Sequence, residues 1–196
     1  SNYLVDTDKC RFIFTVYEKR VDLGDLPFFL SMVYHLAGKG CPVPRALKTD
    51  TGDWTLMANG KAMAMMEFMP GLSVTHPTPE QAHAVGIALG DMHQALRDFP
   101  LQRPNALGPE GWFALAARCG DALNDIRPGL KDRVQAEVDF IREHWPRHLP
   151  TSVIHADLFP DNVFFLGDRL SGLIDFYFAC NDLFAYDLSV CLNAWC

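Results

Sequence analysis

One stretch of eight residues limits what this chain can fold into more than any other, and it reads His155-Ala156-Asp157-Leu158-Phe159-Pro160-Asp161-Asn162. Apolar runs flank it on both sides, and the second of them turns through Gly167-Asp168 into a third run at residues 170–174. This order predicts a strand, a polar loop and a β-hairpin, with Asp175 placed where the second hairpin strand ends.

The polar residues of this segment have the types and the spacing of a phosphoryl-transfer site. Such a reaction needs a carboxylate that orients the accepting hydroxyl, together with an amide oxygen and a second carboxylate that hold magnesium. Protein kinases carry the loop H-R-D-x-x-x-x-N followed by a later Asp, and the same spacing separates Asp157 from Asn162 here. The pattern therefore favours a kinase active site.

Two other interpretations of the same residues stay open at this point. Asp, Pro and Asn are ordinary turn formers, so a plain loop between two strands can also carry them. A metal-dependent hydrolase would use similar side chains, but it normally needs more converging histidine and carboxylate ligands than this segment offers.

Composition excludes several classes of protein. The chain has 196 residues, of which 49% are hydrophobic and 21% charged, which is typical of a globular protein of one large domain or two small lobes. The net charge is −7 and there is no Lys/Arg stripe, which argues against nucleic-acid binding. No apolar run approaches the ~20 residues of a membrane span. The six cysteines lack C-x-x-C spacing, which favours a reducing cytoplasm.

The order of the predicted elements separates a β-rich part from a mostly helical part. The segment Asn59-Gly60 predicts a hairpin between strands at Trp54–Met57 and Lys61–Met66, and Asp25 predicts the N-cap of a helix. Two earlier strands are expected at 3–5 and 12–17, and later helices at 80–96, 111–124, 130–145 and 183–196. We therefore expect an N-lobe over residues 1–70 and a C-lobe over residues 71–196.

Further stretches accompany the polar loop along the whole chain, at residues 1–5, 17–20, 26–30, 103–107 and 185–195. Together with residues 153–182 they resemble the homoserine kinases of the aminoglycoside phosphotransferase and choline kinase superfamily. The resemblance implies an α+β, protein-kinase-like fold with a small β-rich N-lobe and a mostly helical C-lobe. It also implies ATP and Mg²⁺ as cofactors, and cytoplasmic phosphorylation of L-homoserine to O-phospho-L-homoserine in threonine biosynthesis.

The resemblance implies roles for the residues around the loop. Asp157 matches the catalytic aspartate that orients the substrate hydroxyl, and His155 matches the histidine that supports the catalytic loop. Asn162 and Asp175 match the magnesium ligands. Asp187 matches an acid in the following helix that commonly braces the loop, although an acid in the first turn of a helix is also ordinary.

The resemblance says less about nucleotide recognition. Glu67-Phe68-Met69 matches the linker whose backbone pairs with adenine, and Asn2 lies at the end of the segment that covers the phosphates. Thr15 stands where many relatives carry Lys or Arg. Lys19 or Arg20 could supply that charge, although an exposed surface pair is an equally good interpretation.

Two alternative functions remain open. The first is the same chemistry on another small alcohol, such as choline, an aminoglycoside or methylthioribose, and the second is a nucleotide-binding regulator without turnover. The resemblance also implies further strands before Ser1 and further helices after Cys196. We therefore expect a chain truncated at both ends, and an isolated 196-residue piece that is poorly soluble or inactive.

Overall fold

The computed structural model describes residues 1–18 and 21–196, which form two compact units. The first unit combines residues 1–103 with 151–196, and the second comprises residues 104–150. The strands are β1 (Asn2–Asp6), β2 (Arg11–Tyr17), β3 (Leu56–Ala58), β4 (Lys61–Glu67), β5 (Thr151–Ile154), β6 (Val163–Leu166), β7 (Arg169–Leu173) and β8 (Cys180–Leu183). The helices are α1 (Leu26–Gly38), α2 (Pro79–Ala95), α3 (Pro109–Cys119), α4 (Leu123–Ile126), α5 (Leu130–His144) and α6 (Phe184–Trp195).

The first unit opens with a four-stranded antiparallel sheet in the order β1-β2-β4-β3. The predicted hairpin turn is confirmed, because Asn59 and Gly60 have φ angles of 52° and 74°, the left-handed pair that a type I′ turn requires. The prediction that β3 begins at Trp54 was wrong. The ring of Trp54 instead packs edge-on against Tyr34 of α1, with centroids 5.1 Å apart, which draws this residue away from the sheet.

Helix α1 packs its apolar face into the core of the first unit, where Met32 and Leu36 are completely buried. Asp25 occupies the N-cap position as predicted, but its side chain caps no backbone N–H. Its carboxylate instead accepts a hydrogen bond from Nε of Arg103 at 2.7 Å. An ion pair that the sequence does not reveal has therefore taken the place of the expected cap.

The later part of the first unit confirms the predicted order of strand, loop and hairpin. Strands β6 and β7 form the hairpin, while β5 pairs with β8, which the sequence analysis missed. Strand β8 contains Asn181 and Asp182, residue types that are depleted in strands, and its partner lies far away in the sequence. Helix α6 accordingly begins at Phe184.

The second unit is helical. The prediction of one helix over residues 111–124 was wrong, because α3 begins at Pro109 and ends at Cys119. Proline is well suited to the first turn of a helix, and Gly120 follows the helix with a φ of 49° that ends it.

Within the residues that the structure describes, no helix combines the length and the apolar character needed to cross a membrane. The expected lobe boundary at residue 70 falls inside the first unit and stays a prediction.

Candidate active site

A buried carboxylate holds the start of the polar loop that follows β5. Asp187, in the first turn of α6, is completely buried. Its Oδ2 accepts a hydrogen bond from the backbone N–H of His155 at 3.0 Å, and its Oδ1 accepts one from Ala156 at 2.8 Å. Ala156 has a φ of 64°, a left-handed conformation that is uncommon for alanine and that needs such support. The expected bracing role of Asp187 is confirmed in this geometry.

A second partner of Asp187 comes from α2. Nε2 of His93 lies 2.7 Å from Oδ2 of Asp187, and the imidazole stacks on Phe184 with ring centroids 4.4 Å apart. A single histidine on an amphipathic helix carries no signal for a carboxylate 94 positions away.

His155 lies completely buried beneath the loop, and both of its ring nitrogens are engaged. Nε2 donates to the backbone oxygen of Ile174 at 3.1 Å, and Nδ1 accepts from the backbone N–H of Asp157 at 3.3 Å. Burial lowers the pKa of His155 and so favours the neutral ring, although the charge of Asp187 opposes this. A neutral ring with these two partners supports the loop and has no free nitrogen for proton transfer.

Asp157 and Asn162 are joined by their side chains. Nδ2 of Asn162 donates to the backbone oxygen of Asp157 at 2.8 Å and to its Oδ2 at 3.1 Å. Partial burial raises the pKa of Asp157, and the charges of Asp175 and Asp161 act in the same direction. A protonated His155 would oppose that shift, and the hydrogen bond from Asn162 opposes it.

Asp175 follows directly after Ile174, which is hydrogen-bonded to the polar loop. The N–H of Ile174 donates to the backbone oxygen of Asn162 at 2.9 Å, and the C=O of Ile174 accepts from His155. Asp175 itself is exposed and has a φ of 62°, a conformation that aspartate tolerates better than most residues. In the part of the chain described, no three His, Cys, Asp or Glu side chains form a metal-binding group.

A cavity of about 330 Å³ opens beside Asp175 within the first unit. Five of the residues expected at the nucleotide and metal sites line it, namely Asn2, Glu67, Phe68, Met69 and Asp175. The rest of its mainly apolar lining comes from β2, α1 and β6, together with Pro44, Met66, Ile174, Phe176 and Tyr177.

The backbone of the linker is partly committed to hydrogen bonds inside the protein. The N–H of Glu67 donates to the backbone oxygen of Arg45 at 2.9 Å, and that of Phe68 donates to the backbone oxygen of Arg11 at 3.1 Å. The guanidinium of Arg11 also lies over the Phe68 ring, 4.3 Å from its centroid. No described residue accepts a hydrogen bond from the N–H of Met69.

Thr15, the β2 residue that stands where many relatives carry Lys or Arg, is neutral, and its hydroxyl is already hydrogen-bonded within the protein. Thr15 is only 6% exposed, and its hydroxyl donates to Oδ1 of Asn2 at 2.9 Å. Lys19 and Arg20, the expected alternatives, lie outside the residues that the structure describes.

Comparison of the sequence with known proteins finds a matching family model and close relatives. A family model described as "Phosphotransferase enzyme family" matches residues 1–196. The chain is 52% identical over 196 residues to a homoserine kinase of Rhizobium meliloti, covering all of this chain and 60% of that protein. It is 54% identical over 198 residues to a homoserine kinase of Chelativorans sp., again covering all of this chain and 61% of that protein. The chain thus spans about 60% of the length of these curated relatives.

Solved structures show the same fold at low sequence identity. An amicoumacin kinase in complex with AMP-PNP and Ca²⁺ aligns with a TM-score of 0.72 at 16% identity, covering 98% of this chain and 61% of that one. An aminoglycoside phosphotransferase from Alicyclobacillus acidocaldarius aligns with a TM-score of 0.69 at 15% identity, covering 98% of this chain and 64% of that one. The predicted α+β, kinase-like fold is thereby confirmed.

Proposed function

Because this chain belongs to the phosphotransferase enzyme family, we propose that it transfers the γ-phosphate of ATP to the side-chain hydroxyl of L-homoserine. The observation that carries the proposal is the hydrogen-bonded pair of Asp157 and Asn162, joined through the backbone of Asn162 to Ile174, directly before Asp175 at the cavity, in a chain about half identical to homoserine kinases. These residue types suit phosphoryl transfer.

We place the adenine of ATP against the linker. The amides of Glu67 and Phe68 are already used inside the protein, so the N–H of Met69 is the backbone donor left to pair with the base. Apolar side chains of the cavity, including Ile13 and Met66, suit the faces of an aromatic ring. Asn2, at the start of β1, lies at the same cavity and is the proposed phosphate-side contact.

The residues present also fit a magnesium site. Asn162 directs its amide nitrogen at Asp157, which leaves its side-chain oxygen as a ligand atom, and Asp175 supplies an exposed carboxylate. Magnesium prefers such hard oxygen ligands and usually takes only one or two carboxylates, because phosphates and water fill its other positions. When bound, it would neutralise charge on the phosphate oxygens.

The protein's own contribution to the reaction is alignment and proton acceptance by Asp157. The hydrogen bond from Nδ2 of Asn162 to Oδ2 fixes the orientation of this carboxylate, which leaves Oδ1 to accept the hydrogen bond of the substrate hydroxyl. Its raised pKa makes it a somewhat better base than an ordinary aspartate. His155 and Asp187 act on the reaction indirectly, because they hold the backbone that carries Asp157.

The product of this reaction would be O-phospho-L-homoserine, which serves threonine synthesis. We infer a cytoplasmic enzyme, as the cysteine pattern suggests.

The proposal is tested by supplying the full-length protein with Mg·ATP and, in separate reactions, homoserine, choline, kanamycin or methylthioribose, and by recording ADP release. We expect homoserine to be by far the best acceptor. Turnover with choline and none with homoserine would replace the proposed acceptor. ATP binding without ADP release for any acceptor would favour a nucleotide-binding regulator without turnover. The neutral Thr15, where many relatives carry Lys or Arg, is consistent with that alternative.

A further inference from the structure

Two tyrosines link the sheet of the first unit to the segment that follows Asp175. The hydroxyl of Tyr177 donates a hydrogen bond to the hydroxyl of Tyr17 at 3.0 Å, across 160 positions of sequence. The two rings meet edge-on with centroids 5.9 Å apart, and Tyr177 also meets Phe29 of α1 edge-on at 5.5 Å. Tyr177 is thus held by directed contacts to both β2 and α1.

Tyr17, at one end of this link, belongs to the sheet. Tyr17 is only 4% exposed, and its backbone pairs with Ala62 of β4 at the end of β2. It lies two residues after Thr15, on the same face of β2, and Thr15 lines the cavity. The side chain of Tyr17 therefore belongs to the same strand face as part of the cavity wall.

The other end of the link lies two residues beyond the proposed metal ligand. Asp175 is held in a left-handed conformation, which persists only where its surroundings determine it. On its N-terminal side, Ile174 is hydrogen-bonded to the polar loop. On its C-terminal side, Phe176 is buried against His155, and Tyr177 reaches the sheet. Tyr177 is the member of this group that connects Asp175 to β2.

We propose that the hydroxyl pair of Tyr17 and Tyr177 is a positioning device that sets the carboxylate of Asp175 at the cavity and thereby raises affinity for a divalent cation bound with nucleotide. This inference rests on the proposed function, because it assigns Asp175 to the cation. Thr15, one of the two β2 residues that line the cavity, is neutral, and the hydrogen bond between Tyr17 and Tyr177 that joins β2 to the segment after Asp175 is neutral as well.

The test compares four full-length proteins: wild type, Tyr17→Phe, Tyr177→Phe and the double variant. Each change keeps the aromatic ring and removes one hydroxyl. Each single variant leaves the other, at least partly buried, hydroxyl without this partner, so its melting temperature falls. In the double variant no hydroxyl is left stranded, and its melting temperature recovers above those of both single variants.

Cation affinity is measured on the same four proteins by titrating Mn²⁺ against each protein with ADP and following free Mn²⁺ by electron paramagnetic resonance. We expect the double variant to bind Mn²⁺ about three- to tenfold more weakly than wild type in spite of its recovered melting temperature, the factor that loss of one net hydrogen bond produces. Tyr34→Phe, the same change at an exposed tyrosine of α1, should bind Mn²⁺ as wild type does.

The outcomes separate this inference from the proposed function. Equal Mn²⁺ affinity in wild type and double variant would overturn the role of the tyrosine pair, whatever the acceptor assay shows. Wild-type protein that binds Mn²⁺ with ADP but phosphorylates no alcohol would overturn the proposed function alone. Wild-type protein that binds no Mn²⁺ would overturn both.

Discussion

The side-chain amide of Asn162 donates to both the backbone oxygen and the Oδ2 atom of Asp157, at 2.8 and 3.1 Å. The second of these bonds fixes one carboxylate oxygen of Asp157 and, in the proposed function, leaves the other for a substrate hydroxyl. Both bonds use the amide nitrogen of Asn162, so its amide oxygen is not bonded to Asp157. One side chain thereby orients the proposed base and keeps its own oxygen for the proposed cation site.

Removal of the Asp157 carboxylate should abolish turnover while nucleotide binding remains. For Asp157→Asn we expect kcat to fall by several orders of magnitude, because the reaction loses its oriented proton acceptor. The affinity for ATP, measured by calorimetry, should change little, because the adenine is proposed to bind at the linker. Asp161→Asn, at the exposed neighbour, is the matched control and should keep its activity. A variant at Asp157 with normal kcat would contradict the role given to it.

The pH profile of turnover should reflect the environment of Asp157. Partial burial raises the pKa of this carboxyl, and only the deprotonated form accepts a proton. Activity should therefore be full at neutral pH and fall as the pH drops, with the acid limb above the ordinary aspartate value of about 3.9. A profile of log kcat against pH for the full-length protein measures this limb. A limb at or below the ordinary value would mean that Asp157 is not the titrating group.

His155 should make the protein less stable in mild acid. Its pKa is lowered by burial, so the unfolded chain takes up a proton at higher pH than the folded protein does. The contribution of neutral His155 to the free energy of unfolding is complete above the pKa of the unfolded chain, about 6.5. It is lost as the pH falls below that value, by up to about 1.4 kcal/mol per pH unit. Urea unfolding at several pH values tests this.

The histidine behind that pH dependence can be identified by substitution. The slope below pH ~6.5 should flatten in His155→Gln, which has no proton to take up in this range. It should persist in His148→Gln, a change at an exposed histidine. An unchanged slope in His155→Gln would assign the effect to another group.

Asp187→Asn should unfold more easily than wild type. The carboxylate accepts two backbone N–H bonds and faces His93, whereas an asparagine side chain has only one accepting oxygen. A buried donor left without its partner costs about 1–3 kcal/mol. Chemical denaturation measures the loss, and Asp168→Asn in the exposed hairpin turn should leave stability nearly unchanged. Equal stability of the two variants would contradict the bracing role.

Gly71→Ala should weaken nucleotide binding. Gly71 has a φ of 142°, and a Cβ there would collide with Oγ of Ser171 and lie 2.9 Å from Cβ of Phe164. The linker would have to shift, and Met69, the proposed adenine contact, lies two residues away. Gly86→Ala is the control, because this exposed position inside α2 has open space and alanine should stabilise the helix by up to about 1 kcal/mol. Unchanged ATP affinity in Gly71→Ala would remove the linker from the nucleotide site.

The sequence by itself determined the local features of this protein. The spacing of Asp157 and Asn162 and the left-handed turn at Asn59-Gly60 were predictable, because neighbouring residues settle them. The resemblance also pointed to Glu67, Phe68 and Met69, which line the cavity. Their role in binding nucleotide stays a proposal.

Only the tertiary structure decided which distant side chains meet. His93 and Asp187 are 94 positions apart in the sequence, and Tyr17 and Tyr177 are 160 positions apart, yet each pair is hydrogen-bonded. Asp25 binds Arg103 and does not cap the helix as expected. Such pairs leave no periodic or local pattern in the chain. They form because packing of the apolar core first brings the elements together, and buried polar groups then require partners.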